Sequence, residues 1–264
     1  MKKFPRQAII LAAGLGTRLR PLTDHIPKPA LPVGGVPILF YHLALLRRVG
    51  IRDVVINLHH RPKRICALLS RAGQWGFKIR YSFEPKILGT AGGIFQALNT
   101  MRKEPTFVLN GDVLCDIDLK AMFRVHHQAA AQATLAAVEP GDTEITSFIE
   151  SDKKGCIRRI AGEPLLSAPP KKMRKSIFSG IHLLQPELFR SYPEHSFGCV
   201  VRQIYQPALG RAERLQAYFH RGAWWDLGTI PQLTQVDTLL YQQKISKSVI
   251  ELWREAKRLS RGIF

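Results

Sequence analysis

Short apolar runs without polar alternation recur through the first half of this chain. Each is followed by a stretch whose apolar residues fall at helical spacing. This alternation constrains the fold more than any other feature, because strands covered on both faces and joined by helices pair in parallel. Gln7 to Ala12 is the first such run. Pro37 and Gly50 then bracket a helix with apolar residues at Ile38, Tyr41, Leu45 and Val49, proline opening and glycine closing it. Val54–Asn57, Lys78–Phe83, Thr106–Leu109 and Ala133–Val138 read as further strands. The helices between them run from Pro62 to about Ala72, from about Ala91 to Met101, and from a cap at Asp118 to about Ala130. The expectation is an α/β fold with a mainly parallel sheet and helices on both faces.

After Pro140 the pattern changes. Ser147–Glu150 and Cys156–Ile160, joined across Asp152-Lys-Lys-Gly155, predict a β-hairpin. A loop rich in proline and lysine (Pro164 to Lys175) leads to a strand at Ser176–Leu184. A short helix follows Pro186, another covers Val200–Leu209, and Leu215–His220 is a strand. The tail from about Pro231 is helical, with Ile245, Val249, Leu252, Ala256 and Leu259 on one face and lysines and arginines around the rest. The chain reads as a single domain over 1–264, divided into halves at 1–140 and 141–230, with C-terminal helices at 231–264.

Lysine and arginine outnumber aspartate and glutamate 39 to 20, a net charge of +19. Charge of this sign favours anionic partners without choosing among them. No nucleic-acid module is recognised, so specific nucleic-acid binding is not expected. The basic face of the tail reads as the rim of a packing helix, the alternative being weak association with an anionic membrane surface. Cys66, Cys115, Cys156 and Cys199 are scattered with no CxxC pair, which supports neither structural zinc nor a redox motif. No apolar run reaches the ~18 residues of a membrane span. The run after Lys2, Lys3 and Arg6 is broken by Gly14, Gly16 and Arg18 before it makes a secretory signal. A cytoplasmic protein is expected, with homo-oligomerisation left open. Adjacent histidines, His59-His60 and His126-His127, point in different directions on a strand or helix and read as surface positions.

The residues that carry chemistry begin at the exit of the first strand, Leu11-Ala-Ala-Gly-Leu-Gly-Thr-Arg-Leu-Arg-Pro-Leu-Thr23, followed by Pro27-Lys28-Pro29. Glycines one residue apart let the backbone turn tightly and bring N–H groups close to an anion. Leu19 stands where the dinucleotide fingerprint requires a third glycine, and no Gly-Lys-Ser/Thr follows to make a P-loop. With Arg18 inside the turn and Lys28 held between prolines, the segment reads as a triphosphate cradle.

The run from Ile9 to Pro37 resembles the signature of the sugar nucleotidylyltransferases, which join a nucleoside triphosphate to a sugar 1-phosphate and release pyrophosphate. Further landmarks follow in the family's order. Gly89-Thr-Ala-Gly-Gly93, after Glu84-Pro85, resembles its second nucleotide-contacting loop. Asn110-Gly-Asp112 resembles its metal-binding aspartate motif, Ser179-Gly180-Ile181 its sugar-site strand, and Trp225-Asp-Leu-Gly-Thr229 the segment with a second metal-binding aspartate. The resemblance implies a Rossmann-like core carrying a hairpin-containing sugar-site insertion. It also implies Mg2+ on Asp112 and Asp226, and a catalytic set of Arg18, Lys28, Asp112 and Asp226. The nucleotide would lie on Leu11, Ala12, Ala13, Gly14, Gly16, Thr17, Glu84, Gly89 and Thr90, and the sugar against Asn110 and Gly180.

Independent chemistry agrees. In-line attack by a sugar-phosphate oxygen on the α-phosphorus brings two polyanions together, so positioning and charge neutralisation suffice without a protein nucleophile. Magnesium commonly takes one or two carboxylates plus substrate phosphates. In one respect the chain departs from the family: many relatives carry Glu-Lys-Pro after the hairpin, where this chain has Gly162-Glu163-Pro164. Glu163 thus stands where a sugar-phosphate lysine is usual, as in short members similar to N-acetylmuramate-1-phosphate uridylyltransferases. Guanylyl transfer of the mannose type and uridylyl transfer of the muramate type stand level. The rival reading is a noncatalytic nucleotide-sugar-binding or membrane-surface-associated regulatory protein of the same fold.

Overall fold

The computed structural model describes residues 3–140, 148–162 and 172–261. In chain order the first elements are β1 (Gln7–Leu11), β2 (Pro32–Val33), β3 (Val36–Pro37), α1 (Ile38–Arg48), β4 (Asp53–Leu58), α2 (Pro62–Leu68) and β5 (Lys78–Phe83). There follow α3 (Gly89–Leu98), β6 (Thr106–Asn110), β7 (Val113–Cys115), α4 (Leu119–Gln128), β8 (Ala133–Val138), β9 (Phe148–Ser151) and β10 (Ile157–Ile160). The rest are β11 (Arg174–Leu184), α5 (Gln206–Gly210), β12 (Leu215–Phe219), β13 (Trp224–Asp226), α6 (Ile230–Tyr241) and α7 (Lys247–Ser260). The α/β class and the strand–helix alternation of the first half are as expected.

The chain packs into two compact units. One comprises Arg6–Ile87, Leu109–Ile117 and Gly222–Phe264; the other comprises Met1–Pro5, Leu88–Val108 and Asp118–Arg221. In the first, β1, β4 and β5 pair in parallel, with Leu11 opposite Asn57 and Leu58 opposite Phe83. Ala8, Ile9 and Ile10 are wholly buried, as a strand covered on both faces requires. Helix α1 is buried continuously from Ile38 to Leu46, the pattern of a helix surrounded by protein. One of its neighbours is α7, whose residues Val249, Leu252, Ala256 and Leu259 are buried. Ser246 caps α7, and its Trp253 Nε1 donates to the Gly34 carbonyl at 2.9 Å. Two short ribbons, β2 with β3 and β7 with β13, were not expected from the sequence.

In the second unit, β11 pairs antiparallel with both β8 and β9, β9 pairs antiparallel with β10, and β12 runs parallel to β8. The predicted hairpin is β9–β10, its turn closed by Asp152 Oδ1 accepting from the Lys154 and Cys156 amides. Asp118 caps α4 as expected, accepting from the Ala121 amide at 2.9 Å. The helix expected over Val200–Leu209 divides into a π-turn over Val201–Tyr205 followed by α5. Ser147 and the loop Pro164–Lys171, with Glu163, lie outside the described residues. His126 corrects the surface reading of its pair: it is buried, with Nδ1 on Thr134 Oγ1 at 2.9 Å and Nε2 near Gln185 Nε2 at 3.1 Å, while His127 is exposed. The reason is α4's apolar stripe, which turns His126 inward together with Leu119 and Met122.

Candidate active site

All four residues expected to be catalytic fall in the first unit. Gly16 adopts φ +65°, and a Cβ there would lie 2.8 Å from Thr23 Cγ2. Thr23 Oγ1 donates to the Gly16 carbonyl at 2.8 Å, folding the strand exit back on itself. The next turn, Thr17–Leu19, buries Leu19 and leaves Thr17 and Arg18 exposed. Lys28, by contrast, is buried between Pro27 and Pro29, and its Nζ donates to Asp112 Oδ2 at 2.7 Å.

Asp112 reaches that position because the Asn110-Gly111-Asp112 turn is tied to the exit of β1. The Gly111 amide donates to the Leu11 carbonyl at 2.9 Å. A Cβ on Gly111 would stand 2.4 Å from that oxygen, so only glycine allows the approach. Asp226 arrives through the β7–β13 ribbon, where it pairs with Val113, and the Leu227 amide donates to the Asp112 carbonyl at 2.9 Å. A Cβ on Gly228 would meet Arg18 Nη2 and Asp226 Oδ1, both at 2.9 Å. Arg18, Lys28, Asp112 and Asp226 therefore gather at the ends of β1 and the β7–β13 ribbon.

Charge at this cluster is unbalanced in an informative way. Burial, and then the neighbouring charge of Asp112, raise the Asp226 pKa above the ordinary carboxylate range; Lys28, Arg18 and the Gly228 backbone pull the other way. A carboxylate whose ionisation is disfavoured by burial and by a neighbouring carboxylate is what a divalent cation relieves. Among the described residues no group of three or more His, Cys, Asp and Glu is placed to hold a metal by itself. Two carboxylates whose remaining ligands come from phosphates and water suit magnesium, so the residues present fit it.

The strand exit has a buried support that the sequence did not single out. Asn57, on β4, accepts from the Ala12 amide through Oδ1 at 2.7 Å and donates through Nδ2 to Glu84 Oε1 at 2.7 Å. Glu84, expected to contact base or sugar, is 3% exposed and belongs to this relay. His59 Nδ1 joins it at the Glu84 carbonyl, 2.8 Å away, and His60 Nε2 reaches the Thr23 carbonyl at 2.9 Å; both are partly buried rather than surface histidines. Ala13 is buried, whereas Gly14 faces open space, with no atom within 4 Å of where a Cβ would stand. A second unforeseen residue is His42 on α1. It is buried, its Nε2 has no partner, and burial lowers its pKa to about 4 against the pull of Asp112 and the Gly111 backbone. Both residues sit inside apolar runs, where periodicity marks only a core position.

Gly89, Thr90 and Gly180 belong to the second unit. Gly89 has φ +68°, and a Cβ there would lie 2.4 Å from the Gly198 carbonyl oxygen. That oxygen accepts from the Ala91 amide at 2.9 Å, and Thr90 Oγ1 accepts from the Val200 amide at 2.8 Å. Gly180, at φ +82°, lies where the register of β11 against β8 shifts between Phe178 and His182. This is a bulge, a device that re-aims side chains at functional edges. Beneath it, buried His182 contacts the Tyr205 hydroxyl through Nδ1, and burial lowers its pKa to about 3.

A glycine-rich strand exit, the Lys28–Asp112 pair, Arg18 and Asp226 thus lie together, and the match of residues 7–243 to the model of the Nucleotidyl transferase family shows that the chain belongs to that family. Over 240 residues it is 34% identical to the N-acetylmuramate alpha-1-phosphate uridylyltransferase of Neisseria meningitidis serogroup B, an alignment spanning 88% of this chain and 97% of that one. It is 30% identical over 223 residues to the mannose-1-phosphate guanylyltransferase of Mycobacterium tuberculosis, spanning 84% and 61% of the two chains. Among solved structures, HddC from Yersinia pseudotuberculosis superposes with a TM-score of 0.72 at 22% identity, over 89% of this chain and 99% of that one. The noncatalytic reading is not favoured by these likenesses.

Proposed function

We propose that the protein transfers a nucleoside monophosphate from a nucleoside triphosphate to a sugar 1-phosphate, with release of pyrophosphate. The observation that carries this reading is the 2.7 Å pair of Lys28 and Asp112 beside Asp226 and Arg18. A phosphate oxygen of the sugar 1-phosphate forms a bond to the α-phosphorus as the bond to the β-phosphate bridging oxygen breaks. Pyrophosphate takes the departing electron pair. Arg18 holds the β- and γ-phosphates, and Lys28 neutralises charge near the α-phosphorus between nucleotide and sugar phosphate. Asp112 and Asp226 would hold Mg2+, which when bound supplies charge neutralisation on the transferring phosphates. The backbone from Leu11 to Gly14 with Gly16 and Thr17 takes the nucleotide, Glu84 orders that backbone through Asn57, and Gly89 and Thr90 contribute to base or sugar recognition. Asn110 and Gly180 are proposed for sugar recognition on the family resemblance alone.

The likeness to a uridylyltransferase covering nearly the whole of that relative favours uridylyl transfer to a muramate-type sugar phosphate, with guanylyl transfer to mannose 1-phosphate as the second reading. Such a product is a precursor of cell-envelope polysaccharide and is made in the cytoplasm. No helix among the described residues is long and apolar enough to cross a membrane. Pyrophosphate release from each of four nucleoside triphosphates, against a panel of sugar 1-phosphates with and without Mg2+, tests the proposal. Release that requires one base and one sugar phosphate supports it; silence across the panel with nucleotide still bound overturns it.

A further inference from the structure

The excess of positive charge is not spread evenly. In the first unit, a groove of about 570 Å³ sets Arg47, Arg48, Arg254 and Arg258 against Glu251 and Glu255, and Arg48 pairs with Glu255 at 2.9 Å. In the second unit, a larger cavity mixes Lys3 and Arg190 with Glu104, Glu187 and Glu213. A third cavity, of about 730 Å³ and also in the second unit, differs from both. Among the described residues six cations line it, Lys153, Lys154, Arg158, Arg174, Arg214 and Arg221, with Asp152 as the one carboxylate.

That carboxylate is already spent. Asp152 accepts from two amides of the hairpin turn, and its Oδ2 accepts from Arg158 Nε at 3.2 Å and Nη2 at 2.9 Å. Three of the cations are held in place by protein contacts that leave N–H groups over. Besides the Arg158 pair, Arg174 lies 3.9 Å above the Phe219 ring and donates to exposed Glu139 through one nitrogen. Arg214 donates through Nη1 to the Ala129 carbonyl at the end of α4. A guanidinium carries five N–H groups, so each of these can still donate to a ligand. The turn bearing Lys153 and Lys154 is itself pinned to β12: Gln216 Nε2 donates to the Lys154 carbonyl at 2.8 Å, and the Ala217 amide to the Gly155 carbonyl at 2.7 Å. Among the described residues neither lysine, nor Arg221, has an acidic partner. The three guanidiniums held by protein contacts lose little further freedom on binding.

We infer that this groove is a second anion site, taking a ligand with two or more linked phosphoryl groups: an inorganic condensed phosphate or the 5′ oligophosphate of a nucleotide. The cations come from separate chain segments and converge on one bounded cavity of small-ligand size. A polynucleotide would use a continuous track with open aromatic faces on which bases stack. Here one face of Phe219 is covered by Arg174, and among the described residues the lining otherwise offers only half-buried Tyr218.

Calorimetric titration of the whole protein with inorganic tripolyphosphate, at moderate salt, tests the inference. Wild type should show two classes of site, because tripolyphosphate also suits Arg18 and Lys28. Lys153→Glu combined with Arg221→Glu should abolish one class, or weaken it at least tenfold, without changing turnover measured in the absence of tripolyphosphate. Arg18→Ala should weaken the other class and spare this one. A thermal melt establishes that the charge-reversed protein is folded, and Lys153→Ala with Lys154→Ala replaces it if it is not. Repeating the titration with a nucleoside triphosphate distinguishes the two ligand sources: equal affinity means phosphoryl groups alone are read, and tighter binding means that the nucleoside adds contacts. Isotherms identical between wild type and the charge-reversed variant would overturn the site. So would tenfold tighter binding of a single-stranded RNA 12-mer that displaces tripolyphosphate, which would mark a nucleic-acid track instead.

Discussion

The ammonium of Lys28 lies 2.7 Å from Asp112 Oδ2, and Lys28 is buried where it makes that contact. A buried cation against a carboxylate that is also expected to hold Mg2+ has two opposed effects. It neutralises substrate phosphate, and it competes with the metal for Asp112. Lys28→Ala should therefore cut turnover by roughly 10²–10³-fold, the loss typical of one preorganised electrostatic group, while the metal binds more tightly to the unmasked carboxylates. Turnover against Mg2+ concentration reads both. A variant with weaker Mg2+ binding would show that Lys28 supports the metal site instead of competing with it.

Asp226 is held by burial and by Asp112 with its pKa above the ordinary carboxylate range. The folded state thus binds more protons than the unfolded chain between the ordinary value and the raised one, and this group's contribution to stability falls as pH rises through that window. Asp226→Asn should leave the melting temperature at pH 8 unchanged or higher while turnover drops by about 10² or more. In wild type, the apparent affinity for Mg2+ should fall on acidification while the pH is still above the ordinary carboxylate range, because only the ionised group is a ligand. A marked loss of stability in Asp226→Asn would contradict the description of a destabilised carboxylate.

Asn57 joins the Ala12 amide to Glu84 at 2.7 Å on each side. Its replacement by alanine leaves the buried Ala12 amide without its acceptor, a cost of about 1–3 kcal/mol, and takes one donor away from Glu84. The strand exit should loosen, so Asn57→Ala is expected to raise KM for the nucleoside triphosphate more than it lowers kcat. Glu84→Gln, which keeps an acceptor oxygen, should be milder. Equal effects on KM for both substrates would argue against a role confined to the nucleotide.

Two histidines are buried in the neutral form, His42 with a pKa lowered to about 4 and His182 with one lowered to about 3. The unfolded chain takes up these protons first, so stability is fully present above about pH 6.5 and is lost as pH falls toward the folded values. The slope approaches 1.4 kcal/mol per pH unit for each histidine inside its window. Urea denaturation between pH 7 and pH 5 measures it. Replacing His182 by glutamine should flatten the curve, and an unchanged slope would mean that other groups set the acid limit.

What the sequence disclosed and what it withheld divide along physical lines. β1, β4, β6 and β8 were legible because buried strands are written as largely unbroken apolar runs, and the Asp118 cap and the Asp152–Gly155 turn because short polar side chains close such turns locally. Arg18, Lys28, Asp112 and Asp226 stood out through their resemblance to the family's motifs, each within two residues of a glycine or proline. The β7–β13 ribbon escaped because Val113–Cys115 and Trp224–Asp226 are too short to show a period, although that ribbon brings Asp226 to Asp112. Asn57 and His42 escaped because a polar residue inside an apolar run announces burial and gives no hint of its partner. His126 was misread because adjacency on a helix separates two side chains by direction but does not say which one faces the core.

The central claim is direct transfer of the α-phosphoryl group to a sugar phosphate. A single turnover with nucleoside triphosphate labelled at the α-phosphorus, sugar 1-phosphate and Mg2+, quenched at short times, tests it most directly. Label should pass from the triphosphate to the nucleotide sugar in one phase, with an equal amount of pyrophosphate released and no label attached to protein. Label trapped on the protein, or recovered as free nucleoside monophosphate whether or not sugar phosphate is present, would contradict it.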